Sequence, residues 1–260
     1  MLILEQAEEL RLSLAGDEAE NESTTPLEAM IMQALETVAG RFELGKNLAL
    51  TVACAGSDDG YTLHPEEARL LSPRACRKRR LNWTLGRAAA SRSLRKLGFE
   101  DPPPVLRGDR GEPLWPEGIS GSITHCDPWS VAVSAEGSNP LAVGIDLESL
   151  ERFQETDVSG LICRKAELEW ARGVGDFQTR LAMLFSAKEA LYKSLYPFVR
   201  RYVDFTEVEL SWSPERFCFH AEVLPSDACG FDSGPVAISC RRHQHWIFSC
   251  SIYESKSFSS

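Results

Sequence analysis

Three short segments carry residue types that could do chemistry together: Ser122-Ile123-Thr124-His125, Gly144-Ile145-Asp146-Leu147-Glu148, and Phe185-Ser186-Ala187-Lys188-Glu189-Ala190-Leu191-Tyr192-Lys193. In a strand, Asp146 and Glu148 are two residues apart, so both carboxylates leave the same face while Leu147 points the other way. In a helix, Glu189 and Lys193 lie one turn apart on one stripe. A helix packed beside that strand would bring three carboxylates, Asp146, Glu148 and Glu189, around one ion. Three oxygen ligands suit Mg²⁺, which keeps several waters and commonly takes phosphate oxygens from a substrate. His125, after a Gly-Ser-Ile-Thr stretch, is a candidate anion donor. Taken singly, each segment also allows a plainer role: a solvated strand edge, a surface ion pair, a turn histidine. The apolar flanks VGIDL and MLFSA instead set the acids at the ends of buried elements.

The elements that would position these groups can be read from period and punctuation. Pro65–Gly98 reads as helical, with Ser72 able to cap, Pro73 suited to the first turn and Gly98 to the stop. Residues 101–121 are loop-like and rich in proline and glycine. The apolar runs 130–135 and 141–147, parted by EGSNP, carry a hairpin signal. Helical period returns over 164–170 and 177–195, with Pro197 closing the second. The runs 208–212, 217–224 and the two flanking 242–244 alternate apolar and polar residues, as a small antiparallel sheet would. Helix, hairpin, helix and sheet without a βαβα rhythm point to an α+β fold, and no internal sequence repeat is evident.

The chain has 28 Lys and Arg against 38 Asp and Glu, a net charge of −10, and 43% hydrophobic residues, which is a soluble globular composition. No apolar run approaches the roughly 20 residues of a membrane span. The amino terminus lacks the positive start and apolar core of a secretory signal, so a cytoplasmic location is expected. The eight cysteines form no CxxC pair, and a reducing compartment favours free thiols. His243 and His245 alternate along an expected strand and read as exposed. Charge is unevenly placed: ten of the 28 cations fall between Ala68 and Phe99, where there is no acid. A polyanion or acidic partner is expected there, unless the helix face is merely solvated. The remaining 18 cations against 38 acids argue against a duplex nucleic acid. Residues 5–36 carry nine acids and only Arg11, and the stretch 16–26 within them reads as mobile.

Together these segments resemble the 4′-phosphopantetheinyl transferases, and within them the larger monomeric type serving siderophore, peptide and polyketide synthetases. GIDLE matches the family's (V/I)G(I/V)DxE, FSAKEALYK its (W/F)(S/T/C)xKExxxK, and SITH its (S/N)(I/L)(S/T)H, in the expected order over about residues 77–200. RRLNWTLGRAAASRSLRKLG and GEPLWPEGISGSITHC resemble the siderophore-synthetase branch, that of enterobactin synthase component D. The resemblance implies transfer of the phosphopantetheine arm of coenzyme A to a serine of an apo carrier protein, with release of adenosine 3′,5′-bisphosphate.

It further implies that Asp146, Glu148 and Glu189 hold Mg²⁺ against the pyrophosphate and that Glu189 accepts the serine proton. Lys188 and Lys193 would clamp the pyrophosphate, and Ser122, Thr124, His125, Arg87 and Arg80 would meet the 3′-phosphate. The implied fold is two similar lobes about a pseudo-twofold, with coenzyme A in the cleft: an acidic stretch at 1–26, a first lobe at 27–138 carrying the basic helix, and a second at 139–260 carrying the metal site. A monomer is implied. The chain departs from the family at Glu112, which precedes Pro113 where a basic residue is usual, with Arg110 the nearest cation. Two other functions share some of these residues: a Mg²⁺-dependent nucleotide phosphohydrolase, and a nucleic-acid module whose stacking aromatics would here be Trp83 alone.

Overall fold

The computed structural model describes residues 26–39, 47–55, 61–137, 141–154, 157–223 and 236–254. The acidic stretch before Pro26, and the expected lobe boundary at 138–139, lie outside the described residues. In chain order the elements are α1 (Pro26–Ala39), β1 (Leu48–Cys54), α2 (Pro65–Arg69), α3 (Arg77–Lys96), β2 (Leu106–Arg107), β3 (Pro113–Leu114), β4 (Ile119–Cys126), β5 (Trp129–Glu136) and β6 (Leu141–Ser149). There follow α4 (Glu151–Gln154), α5 (Ser159–Ile162), α6 (Lys165–Arg172), α7 (Phe177–Val199), β7 (Val208–Ser213), β8 (Cys218–Val223), β9 (Val236–His243) and β10 (Trp246–Glu254). Helices and antiparallel strands are mixed, as the α+β reading requires.

The region 65–98 is helical as expected, as the two helices α2 and α3. Ser72 does not cap α3: its carbonyl accepts the Ala75 amide and its hydroxyl the Arg74 amide, so Ser72–Ala75 is a turn and the long helix starts after Cys76. Arg95 and Lys96 in the last turn complement the helix dipole, and Gly98, at φ +98°, supplies the left-handed residue that ends it. Ala89, Ala90 and Leu94 of α3 pack on Ala53 and Ala132 of a three-stranded sheet ordered β1-β5-β4.

The second sheet has five strands in the order β6-β10-β9-β8-β7. The expected hairpin between 130–135 and 141–147 does not form, because β5 already has β4 and β1 on its two edges and β6 pairs with β10 instead. The four alternating C-terminal runs do form strands, joined into one antiparallel sheet with β6 at its edge. On one face, Val143, Ile145 and Leu147 of β6 share a core with Phe248 and Ile252 of β10, Leu27 and Ile31 of α1, and Val131 and Val133 of β5. On the other face lies α7, which runs so close that a Cβ on Gly144 would strike the Ala190 carbonyl and the Ser194 amide. The glycine of GIDLE is therefore what lets the strand bearing Asp146 touch the helix bearing Glu189.

The two sheets meet through side chains. The hydroxyls of Ser120, Ser122 and Thr124 on β4 accept the amides of Val143, Ile145 and Leu147 on β6, each at 3.1 Å. Alternate hydroxyls thus satisfy the outward amides of an edge strand that has no backbone partner there.

Candidate active site

Asp146 and Glu148 leave β6 on the α7 side and are 4% and 6% exposed. Lys193 reaches across from α7, donating to Asp146 Oδ1 at 2.7 Å and to the Ile145 carbonyl at 3.0 Å. Thr124 donates to the same Oδ1 at 3.3 Å, while Asp146 Oδ2 is buried with no hydrogen-bond partner among the described residues. Glu148 is held by Arg152 of α4, whose Nη1 lies 2.8 Å from Oε1 and 2.6 Å from Oε2. Glu189 stands one turn before Lys193.

The groups sense one another. Burial raises the Glu189 carboxyl, Lys193 opposes the shift and Asp146 adds to it. Burial, then repulsion from Asp146, push Glu148 up to about 7 against the pull of Arg152. Burial would lower Lys193, but Asp146 and Glu189 outweigh it and hold the ammonium above its ordinary value.

Strand and helix are adjacent as expected, but the carboxylates do not close on a common point. Among the described residues no three Asp, Glu, His or Cys side chains are grouped tightly enough to hold a metal ion. The reason is electrostatic: with buried acids side by side, each strand carboxylate turns to a cation of its own, Lys193 for Asp146 and Arg152 for Glu148. The donor set still fits a hard divalent cation. It is all oxygen, it includes an orphaned buried oxygen on Asp146, and its members are electrostatically coupled.

Lys188 is not at the site. It is 3% exposed, and its ammonium donates to Glu167 Oε2 and to the carbonyls of Ile162, Phe205 and Val208 at 2.8–3.1 Å. Three protons shared over four protein acceptors leave nothing for a pyrophosphate. The signal was present in the sequence: Leu181, Leu184, Lys188, Leu191 and Leu195 recur at spacings of three and four, which puts Lys188 on the buried stripe of α7.

Ser122 and Thr124 are likewise buried, with their hydroxyls engaged by β6 rather than open to a phosphate. His125 projects from the same strand, and burial, then Lys193 and Arg79, hold its imidazole below the ordinary value. Its two cationic neighbours come from α7 and α3, so His125 stands between the carboxylate region and the basic helix. Arg80 turns away, tying down the turn before its own helix through the Ala75 and Pro73 carbonyls. Its neighbour Arg79 is the residue sequence reasoning missed. With Arg74, Arg107, Ser72 and Trp83, Arg79 lines a cavity of about 330 Å³. Arg87 stacks on Trp83 at 3.9 Å and is 6% exposed, with Nε unpartnered among the described residues and burial pulling it down to about 10. Residues 79, 83 and 87 are successive i,i+4 positions, which is the phase that separates Arg79 from Arg80.

Glu67 backs this wall. Its buried carboxylate accepts the Tyr61 hydroxyl and the amides of His64 and Val105, and its carbonyl accepts the Trp83 indole. Arg110 and Glu112, at the departure from the family pattern, sit beside Tyr196 of α7 and not on the cationic wall.

The 4′-phosphopantetheinyl transferase N-terminal domain matches residues 66–135, and the 4′-phosphopantetheinyl transferase superfamily matches residues 142–239. The chain is 35% identical over 173 residues to 4′-phosphopantetheinyl transferase Svp of Streptomyces mobaraensis, covering 65% of this chain and 69% of that protein. It is 33% identical to 4′-phosphopantetheinyl transferase Npt of Nocardia iowensis, over 62% of this chain and 74% of that protein. It is also 35% identical to enterobactin synthase component D of Salmonella typhi, there over 50% of this chain and 53% of the relative.

Proposed function

The chain belongs to the 4′-phosphopantetheinyl transferases, and from that membership we propose how its residues move the phosphopantetheine arm of coenzyme A to a serine of a carrier protein, releasing adenosine 3′,5′-bisphosphate. The observation that carries the reading is the junction of the two motif segments, where Lys193 of FSAKEALYK bonds Asp146 of GIDLE.

Asp146, Glu148 and Glu189 are the residues that would hold Mg²⁺, which supplies neutralisation of the pyrophosphate when bound. Glu189, its carboxyl raised by burial, accepts the proton of the serine hydroxyl as that oxygen attacks the phosphorus bearing the pantetheine arm. The bond to the bridging oxygen on the adenosine side breaks, and Lys193 faces the charge that gathers on the leaving phosphate. Arg79, Arg87 and His125 take the 3′-phosphate, with the cavity beside Trp83 accepting the anionic end of the coenzyme. No helix among the described residues is long and apolar enough to cross a membrane.

The same reading takes the two sheets, each crossed by one long helix, as paired lobes over 27–138 and 139–260 with the coenzyme between them. It places a monomer in the cytoplasm, and it takes a siderophore synthetase as the source of the carrier domain, the class suggested by the enterobactin synthase relative. Neither phosphate hydrolysis nor nucleic-acid binding gains support from the relatives. With Mg²⁺ and coenzyme A, the full chain is expected to add one phosphopantetheine to an apo carrier, seen by intact mass; consumption of coenzyme A with an unmodified carrier would reject transfer.

The cationic wall has its own test. Arg79→Ala should raise the KM for coenzyme A by about tenfold, the value of one charge-assisted hydrogen bond, and should change that for 3′-dephospho-coenzyme A much less. Arg80→Ala should leave both near wild type. Steady-state kinetics with the two cofactors checks this, and equal losses on both with Arg79→Ala would remove it from the 3′-phosphate.

A further inference from the structure

α4 has an anchor other than the contact between Arg152 and Glu148. Phe153, the next residue, is the buried anchor of α4: it is 5% exposed and packs edge-on against Phe185 of α7, with ring centroids 5.5 Å apart. The Arg152 side chain is 63% exposed, while that of Glu148 is 8% exposed. One partner is therefore fixed and buried, the other free to leave into solvent.

The geometry of the contact is that of a cation on a carboxylate. A single nitrogen, Nη1, lies within 2.8 Å of both Glu148 oxygens, so it sits on the bisector of the carboxylate, where a chelated cation would sit. Among the described residues Asp146 Oδ2 has no partner, whereas Arg152 engages both oxygens of Glu148. Of the three acids read as metal ligands, Glu148 is thus the one whose chelating position is filled among the described residues. A guanidinium and a divalent cation cannot share that position, since they overlap in space and repel.

We propose that Arg152 is the resident counter-ion of Glu148, displaced when a divalent cation enters, and that it thereby sets the divalent affinity of the site. Arg152 acts through Glu148 and touches no substrate, so it is a positioning residue. The inference rests on the metal reading given above, and the two can fail separately.

The experiment measures Mn²⁺ binding to the full chain, without coenzyme A, by electron paramagnetic resonance of free Mn²⁺. Arg152→Gln is expected to bind Mn²⁺ about fivefold more tightly than wild type, the size of a partly exposed ion pair. In a Glu148→Gln background, Arg152→Gln should change nothing, because the carboxylate it guards is gone. A merely structural role for Arg152 would shift melting without tightening Mn²⁺. Arg152→Gln binding as wild type or more weakly, while Asp146→Asn and Glu148→Gln still weaken binding, would overturn the role of Arg152 and leave the metal site standing. Mn²⁺ binding indifferent to Asp146→Asn and Glu148→Gln would overturn both.

Discussion

Glu189→Gln is expected to lower the rate of carrier modification by about 10²–10⁴-fold, the range that loss of a positioned general base costs, while the protein remains folded. Gln keeps the length and shape of the side chain but can neither take up the serine proton nor offer a charged oxygen to a divalent ion. Among the described residues Glu189 forms no ion pair, so its replacement should leave the melting temperature almost unchanged. Asp146→Asn should give a comparable loss of rate, with some loss of stability as well, because Lys193 would lose the acceptor it reaches at 2.7 Å. Intact-mass time courses with an apo carrier provide the measurement. A Glu189→Gln rate within tenfold of wild type would mean the proton goes elsewhere.

Lys188→Ala is expected to act on folding, by about 3–5 kcal/mol, the cost of removing one partner from a buried ion pair. The Lys188 and Glu167 side chains are 2% and 0% exposed, so water cannot replace what is lost. Burial lowers the ammonium and Glu167 works against that, which is the balance of a structural pair in a dry interior. Glu167 would keep the amides of Arg164 and Leu210 but no cation. Against a total stability of about 5–15 kcal/mol, such a loss leaves a marginal protein. Urea unfolding reads it directly. Lys188→Met combined with Glu167→Gln should cost less than the sum of the single changes, because the two act through one interaction. If Lys188 were instead a pyrophosphate clamp, Lys188→Met would unfold normally and show only a raised KM for coenzyme A.

The contrast between Lys188 and Glu189 shows how much of the site was legible. Adjacent helix positions point about 100° apart, so one can be buried while the next faces the cleft. The leucines at 181, 184, 191 and 195 mark the buried stripe, and a reading by helical phase puts Lys188 on it. A reading by motif alone treats both lysines as phosphate ligands. The same phase separates Arg79, in register with Trp83 and Arg87, from Arg80. By contrast, nothing local reveals that Ser120, Ser122 and Thr124 bond to β6, because the amides they satisfy lie 23 residues further along the chain. The hairpin signal at 136–140 misled for a related reason: strand edges are allotted by competition among all strands, and β5 had two better partners.

By itself the sequence determined which residue types are available and how neighbours along the chain are spaced, because strand and helix periods are local consequences of backbone geometry. That was enough for the strand pair Asp146 and Glu148, the helix stripe of Glu189 and Lys193, the basic segment and the family resemblance. Tertiary structure alone decided what each charge touches: Lys193 on Asp146, Arg152 on Glu148, Lys188 on Glu167. A buried charge takes the nearest opposite charge that packing delivers, and that partner can sit 47 residues away, as Asp146 does from Lys193.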